Sequence, residues 1–240
     1  MTSLSLRDLT KQYHGRQVVN SVSLELQNNE VVGLLGPNGA GKTTTFYMAV
    51  GIIKADSGSV YFHDEEITDL PMHQRARRGI GYLPQEPSIF RKLTVADNIR
   101  VVLECLNLPK DQQRERTNRL LEEFNIAHLA RQQASVLSGG ERRRLEISRV
   151  LATSPSFILL DEPFAGIDPL AIADLRNIIN QLKNKNIGLI ISDHNVRETL
   201  QVCDHAYILS DGQVVEHGSP SKIANSPTAR RIYLGDEFRL

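Results

Sequence analysis

Cysteine, net charge and long apolar runs are all scarce in this chain of 240 residues. Cys105 and Cys203 are the two cysteines; they lie far apart and match no metal-ligand spacing. That excludes a zinc module and a disulfide scaffold, and it leaves both thiols as reduced packing residues. Lys plus Arg number 28 and Asp plus Glu number 28, so the formal net charge is zero. Such a balance removes any bulk attraction to nucleic acid or to an anionic membrane surface. No apolar run approaches the ~20 residues that span a bilayer. Met1 to Thr10 is a polar and apolar alternation and not a signal peptide. Internal repeats, low-complexity tracts and heptads are absent as well. The expectation is a soluble, cytoplasmic protein without direct membrane insertion, whose work at any membrane passes through a partner. With 40% hydrophobic and 23% charged residues it has the make-up of a globular chain. Its length suits one large α/β domain with a smaller lobe.

The first part reads as β structure. Leu4 and Leu6 alternate with polar residues, as do Val22, Leu24 and Leu26, which predicts strands with one buried face. Val31 to Leu35 is a continuous apolar run, as for a central strand covered on both faces. From about Leu70 to Leu137 the pattern becomes mostly helical, with Leu120, Leu121 and Phe124 on one face. This predicts a helical lobe inserted into the core. Phe157 to Asp161 and Ile187 to Ser192 read as buried strands. Between them Ile172, Leu175, Ile178, Ile179 and Leu182 mark an amphipathic helix. Ser210-Asp211-Gly212-Gln213 predicts a hairpin, because Asp-Gly favours a tight turn. Strands alternating with helices argue for a mostly parallel sheet. The expected boundaries are 1–84 with 155–218 for the α/β core and its antiparallel N-terminal β subdomain, 85–154 for the lobe and 219–240 for a tail.

Gly36-Pro37-Asn38-Gly39-Ala40-Gly41-Lys42-Thr43 matches G-x-x-x-x-G-K-T, the Walker A pattern of the P-loop NTPases, with Thr44 following. Gly39 and Gly41 let the backbone curl so that several N–H groups point at one anion. Lys42 brings a cation to the β- and γ-phosphates, Thr43 brings a hydroxyl to Mg²⁺, and the next helix adds its positive end. A glycine-rich turn matching by chance is the plain alternative, and the flanking strand and helix argue against it. Asp161 and Glu162 stand at a strand's carboxyl end, where α/β sheets gather ligands. Asp161 suits a Mg²⁺ site, and Glu162 suits a general base or water-positioning role. The competing reading is two carboxylates that solvate a strand end.

Leu137-Ser138-Gly139-Gly140-Glu141 opens another helix. Ser138 and Glu141 form a capping box, S-x-x-E. That does not explain two consecutive glycines, which clear the helix N-terminus for a large anion. One chain would then own two phosphate sites, and the economical solution is that the second meets a nucleotide held by another chain. This stretch resembles the signature motif of the ABC transporter ATPases. The resemblance implies an ABC ATPase fold that binds ATP and Mg²⁺, and a head-to-tail homodimer. In that dimer Leu137, Ser138, Gly139, Gly140 and Glu141 meet the partner chain's ATP. By the same resemblance Tyr13 takes the place of an aromatic on adenine, although a lone Tyr near a strand equally suits packing. Gln85 matches the Q-loop residue that senses Mg²⁺, where a lone Gln after Pro84 would otherwise mean only a loop. Asp168 matches the D-loop, in wording that departs from the commoner Ser-Ala-Leu-Asp. His194 matches the switch histidine at the γ-phosphate; read by itself it is a surface histidine at a strand end.

In finer detail the chain resembles the ATPases of lipopolysaccharide-export (Lpt) systems, on residues 36–48, 75–85, 138–144, 161–166, 193–199 and above all Tyr233 to Leu240. This implies two transmembrane permease subunits of the lipopolysaccharide-export type with an associated single-span component. It places the chain on the cytoplasmic face of the inner membrane. A partner helix would dock on Ile89, Phe90, Arg91 and Leu93, the other reading being that these residues pack the helical lobe. Phe238 and Leu240 stand either against a neighbouring subunit or on a frayed end. Branched-chain amino-acid importer ATPases share much of the same wording. A non-transport ABC ATPase acting on nucleic acid needs long coiled coils between the two phosphate motifs, and only about 95 residues separate Lys42 from Ser138. A nucleotide-binding regulator that does not hydrolyse has no use for Glu162 with His194.

Overall fold

The computed structural model describes residues 3–166 and 169–240, so Asp168 lies outside the described residues. Along the chain run β1 (Ser3–Tyr13), β2 (Arg16–Gln27), β3 (Val31–Leu35), α1 (Lys42–Val50), β4 (Ser57–Phe62), β5 (Glu65–Glu66), α2 (Met72–Arg78) and β6 (Ile80–Leu83). Next come α3 (Val95–Glu104), α4 (Lys110–Glu123), α5 (Gly139–Leu151), β7 (Phe157–Asp161), α6 (Pro169–Asn184), β8 (Gly188–Ser192), α7 (Val196–Val202), β9 (His205–Ser210), β10 (Gln213–Gly218) and α8 (Pro220–Asn225). The chain forms two compact units: Met1–Tyr82 with Ser156–Leu240, and Leu83–Pro155.

Among the described residues the first unit carries two sheets. The antiparallel one has the order β2-β1-β4-β5. Leu4, Leu6, Val22, Leu24 and Leu26 point inward as their alternation requires. Leu9 is also inward, because a bulge between Leu6 and Leu9 shifts the register by one residue. The larger sheet has the order β10-β9-β3-β8-β7-β6. β3 pairs in parallel with β8 and β9, and β7 with β8. Every residue of β3, β7 and β8 is buried, which is why these strands read as unbroken apolar runs. β9 and β10 form the hairpin, with Asp211 at φ 48° and Gly212 at φ 78°. Two positive φ values in a two-residue loop match a type I′ turn, whose twist suits the flanking strands.

One core joins both sheets to α1, through Leu4, Leu6, Leu26, Phe46, Phe62 and Phe157 among others. Phe62 meets Phe157 edge-on at 5.8 Å. Buried Arg75 caps the end of α1: its Nη1 donates to the Met48 and Ala49 carbonyls, both at 2.7 Å. A cation there satisfies orphan carbonyls and complements the helix dipole. The tail 219–240 belongs to this unit. Arg230 folds it on itself by donating to the Ala224, Asp236 and Phe238 carbonyls, and the Ser226 hydroxyl ties it to β10 by donating to Glu216 at 2.7 Å.

The second unit is built on α3, α4 and α5. The expected helical stretch beginning near Leu70 is interrupted: Ile80–Leu83 is a strand of the larger sheet. Four residues between Gly79 and Pro84 are too few to display a period of 2, so the strand was hidden between helical patterns. Among the described residues no helix is long and apolar enough to cross a membrane.

Candidate active site

Strand order decides where the chemistry gathers. β3, β8 and β7 are neighbours in parallel register, with Leu34 opposite Ser192 and Ser192 opposite Asp161. The loops leaving these three strands therefore emerge side by side at the carboxyl edge of the sheet. They carry Gly36 to Thr43, Asp161 to Phe164 and Asp193 to Asn195.

The first loop is shaped by close backbone approaches. A Cβ at Gly36 (φ 148°) would lie 2.1 Å from the Leu209 carbonyl oxygen, and one at Gly41 (φ 103°) would lie 2.6 Å from that of Val18. No other residue fits either position without moving backbone. The β9–β10 turn props the loop from behind: Gly212 N–H donates to the Ala40 carbonyl at 3.1 Å, and Asn20 N–H donates to Gly212 at 2.8 Å. Asn38, Gly39 and Thr43 are exposed and Thr44 is half-buried, whereas Lys42 is buried. The Lys42 ammonium donates to the Gly36 and Pro37 carbonyls at 2.6 and 3.0 Å. Burial lowers its pKa, and the charges of Glu162, Asp161 and Asp193 oppose that shift.

Asp161 is buried at the end of β7. Its Oδ2 accepts from the Tyr82 hydroxyl at 3.3 Å, while Oδ1 is buried without a hydrogen-bond partner. Tyr82 in turn stands edge-on to Tyr47. Burial pushes the Asp161 carboxyl up to about 6, against the pull of Tyr82 and Lys42. The next residue, Glu162, has φ 45°, a left-handed conformation uncommon outside glycine. Its N–H donates to the Ser192 carbonyl at 2.6 Å. His194, exposed at the end of the neighbouring loop, places Nδ1 3.2 Å from Glu162 Oε2. Beside them lies fully buried Asp193. Its Oδ2 accepts from Phe164 N–H and its Oδ1 from Asn195 N–H, both at 2.8 Å. Burial raises the pKa of Asp193 and these two amides hold it down. The sequence reading singled out neither Tyr82 nor Asp193. A carboxylate ending an apolar strand was the available signal for Asp193, the same one that identified Asp161.

Three carboxylates thus face one ammonium, and one carboxylate oxygen is orphaned. Such an oxygen-rich, anionic corner fits a hard divalent cation. Among the described residues no group of three or more His, Cys, Asp or Glu side chains is arranged to hold a metal by itself. Mg²⁺ binds through one or two protein oxygens plus water and substrate phosphates. Tyr13, at the end of β1 in the same unit, is 42% exposed, with the Lys11 ammonium 5.6 Å from its ring centre. Core packing therefore does not account for this ring.

In the second unit Ser138 caps α5. Its Oγ accepts from Glu141 N–H at 3.4 Å, and Ser138 N–H donates to Glu141 Oε2 at 2.8 Å, closing the capping box. The Ser138 hydroxyl, which also donates to Glu141 Oε2 at 2.7 Å, and the Ser138 N–H hold the Glu141 carboxyl below its ordinary value. Gly139 and Gly140 have no positive φ, and a Cβ on either would meet nothing within 4 Å. Neither backbone strain nor packing in this chain requires them to be glycine. Gln85 is exposed in the loop between β6 and α3. Further along, Phe90 is 48% exposed, Arg91 and Leu93 are exposed and Ile89 is half-buried. Their loop is held firmly. Asn98 accepts from Phe90 N–H at 2.8 Å and donates to the Phe90 carbonyl at 3.0 Å. Glu146 of α5 accepts from Ser88 N–H at 3.0 Å, and Arg149 donates to the Ser88 carbonyl with its guanidinium 4.7 Å from the Phe90 ring centre.

The sequence model of the ABC transporter family matches residues 19–165. The chain belongs to the ABC transporter family. Over 241 aligned residues it is 54% identical to the lipopolysaccharide export system ATP-binding protein LptB of Escherichia coli (strain K12), covering all of both chains. To the protein of the same description from Acidithiobacillus ferridurans it is 53% identical, covering 99% of this chain and 98% of the relative. Its fold is similar to the ADP conformation of MJ1267, an ATP-binding cassette of an ABC transporter. The TM-score is 0.88 and the identity 29%, over 98% of this chain and all of the other. It is similar also to cbiO1 of Clostridium perfringens, with TM-score 0.85 and 28% identity over 97% of this chain and 95% of that one. The mostly parallel core sheet with an antiparallel N-terminal sheet is therefore an ABC ATPase fold, as the sequence led us to expect.

Proposed function

We propose that this chain is the ATP-hydrolysing subunit of a lipopolysaccharide exporter. It works as a homodimer at the cytoplasmic face of the inner membrane, beneath two transmembrane permease subunits and an associated single-span component. Membership of the ABC family supports the ATPase, and the two full-length relatives named for lipopolysaccharide export support the cargo. The observation that carries the reaction is the meeting of Lys42, Asp161, Glu162 and His194 at one sheet edge.

ATP is the substrate. The curled loop 36–44 and the α1 N-terminus cradle its phosphates, with Lys42 on the β- and γ-phosphates, and Tyr13 stacks on the adenine. Thr43, Asp161 and Gln85 would hold Mg²⁺, which would supply charge neutralisation to the phosphates. Glu162 orients and deprotonates the attacking water, and His194, hydrogen-bonded to Glu162, faces the γ-phosphate. Residues 137–141 take the γ-phosphate of the partner chain's ATP, and Asp168 belongs to the same dimer contact. The open space beside Gly139 and Gly140 supports this, since the glycines clear room for a group that comes from outside the chain. Phe90, with Ile89, Arg91 and Leu93, forms the seat for a membrane partner's helix. ATP binding closes the dimer because the closed state makes contacts that the open state lacks; hydrolysis removes them, and the motion drives the permeases.

The test is Glu162→Gln. It should bind ATP, turn over slowly, and become dimeric when ATP is added, as read by light scattering. A variant that stays monomeric with ATP bound sinks the sandwich, and undiminished turnover sinks the role of Glu162.

A further inference from the structure

We infer that Asp193 is the positioning residue that holds the Glu162 loop and the His194 loop in reacting register. The inference rests on the reading of Glu162 as the group that acts on water.

Glu162 sits in a left-handed conformation at φ 45°. A strained residue persists only where its surroundings over-determine it. Two of the contacts that fix this stretch come from the end of β8 and the loop after it. The Glu162 N–H donates to Ser192, and the Phe164 N–H donates to Asp193 Oδ2 at 2.8 Å. The other Asp193 oxygen accepts from Asn195 N–H at 2.8 Å, just beyond His194. One buried carboxylate therefore has one oxygen in each loop. The pair it brackets, Glu162 and His194, meets at 3.2 Å. Asp193 itself is fully buried. Its environment also explains the residue type. Both neighbours are N–H donors, and a carboxylate accepts on both sides, whereas an Asn would turn its own N–H₂ toward one of them.

The experiment uses the full chain. Asp193→Asn keeps size and shape while spoiling one of the two bonds. We expect kcat to fall by about tenfold or more, with KM and the affinity for a fluorescent ATP analogue within about threefold of wild type. In the Glu162→Gln background the same change should add less than about threefold, because residues acting as a unit are non-additive. Turnover within about twofold of wild type, a fully multiplicative loss in the double variant, or an affinity falling in step with kcat each overturns the inference. Should Asp193→Asn fail to fold, amide hydrogen exchange on the wild-type protein decides: the Phe164 and Asn195 amides should be protected together, and a freely exchanging Phe164 amide overturns it. Full turnover by Glu162→Gln would refute the reading of Glu162 itself. A dead Glu162→Gln beside a fully active Asp193→Asn refutes only the role of Asp193.

Discussion

Replacing Asn98 by Ala removes the strut under the Phe90 loop. The Asn98 side chain is fully buried and makes three hydrogen bonds to backbone: from Phe90 N–H, to the Phe90 carbonyl and to the Thr94 carbonyl. Each is worth about 1 kcal/mol net. The Phe90 groups sit on an exposed turn and regain water once released, so the expected loss is about 2 kcal/mol rather than the full sum. With an m-value of roughly 2–3 kcal/mol/M for urea, the unfolding midpoint should fall by roughly 0.7–1 M. The loop would then present Phe90 in many orientations, and a docking helix would have to select one of them at its own expense. We therefore expect recovery of the membrane partners in mild detergent to drop several-fold. ATP turnover by the chain without partners should stay within about twofold, because no site residue of the α/β unit depends on Asn98. An unchanged midpoint would refute the accounting of the three bonds. A lowered midpoint with full recovery of partners would refute the claim that loop order serves docking.

Three other outcomes are expected. Gly140→Ala should stabilise the isolated chain by about 0.4–1 kcal/mol, since a helical glycine with open space around it costs entropy and no packing forbids the methyl. The same change should weaken ATP-dependent dimerisation of the Glu162→Gln protein; thermal melts and light scattering must therefore move in opposite directions. Tyr82→Phe deletes the hydroxyl that donates to Asp161 Oδ2 and keeps the ring, so the Mg²⁺ concentration for half-maximal turnover should rise about three- to tenfold. Binding of Mn²⁺ to the nucleotide complex, read by electron paramagnetic resonance, should weaken to match, and an unchanged titration counts against that hydroxyl. The hydrogen bond to Glu30 raises the pKa of His205 above 6.5. Its stabilising share is therefore complete below pH 6.5 and fades as pH climbs through the raised value, so the melting-temperature gap between wild type and His205→Gln should be widest near pH 6 and close in mild alkali.

What could be read from the sequence was what is local in the chain. The P-loop declares itself because its glycines, lysine and threonine are consecutive and each has a chemical reason to be there. β3, β7 and β8 declare themselves because burial on both faces leaves an unbroken apolar run. The capping box at Ser138 is visible for the same reason. Tyr82 escaped because its partner is distant, 79 residues along the chain at Asp161, and the sequence could show only the strand-end place of Asp193, whose bond to Phe164 spans 29 residues. A contact of that kind leaves no period or spacing behind. Arg75 shows the same blindness, being one more cation in an Arg-rich stretch until the fold lays it against the end of α1. β6 was lost because a four-residue strand between Gly79 and Pro84 carries less signal than the helices on either side.

The pair of glycines at 139–140 and the loop at Ser88–Leu93 looked in sequence like separate features, one for nucleotide and one for a partner. A single helix, α5, connects them. α5 begins at the glycines, and Glu146 and Arg149, on the same helix, grip Ser88 while Arg149 covers the Phe90 ring. From Ser138 to Arg149 the helix axis advances about 16 Å. Leu145, Ile147 and Ser148 are buried along that length, which seats the helix in the lobe. On the proposed reading, a group captured at the glycine end is joined to the Phe90 loop by one continuous helix. A cap stabilises the helix, whereas two glycines in its first turn cost helix stability, and the proposed contact with an outside ligand gives that cost a reason.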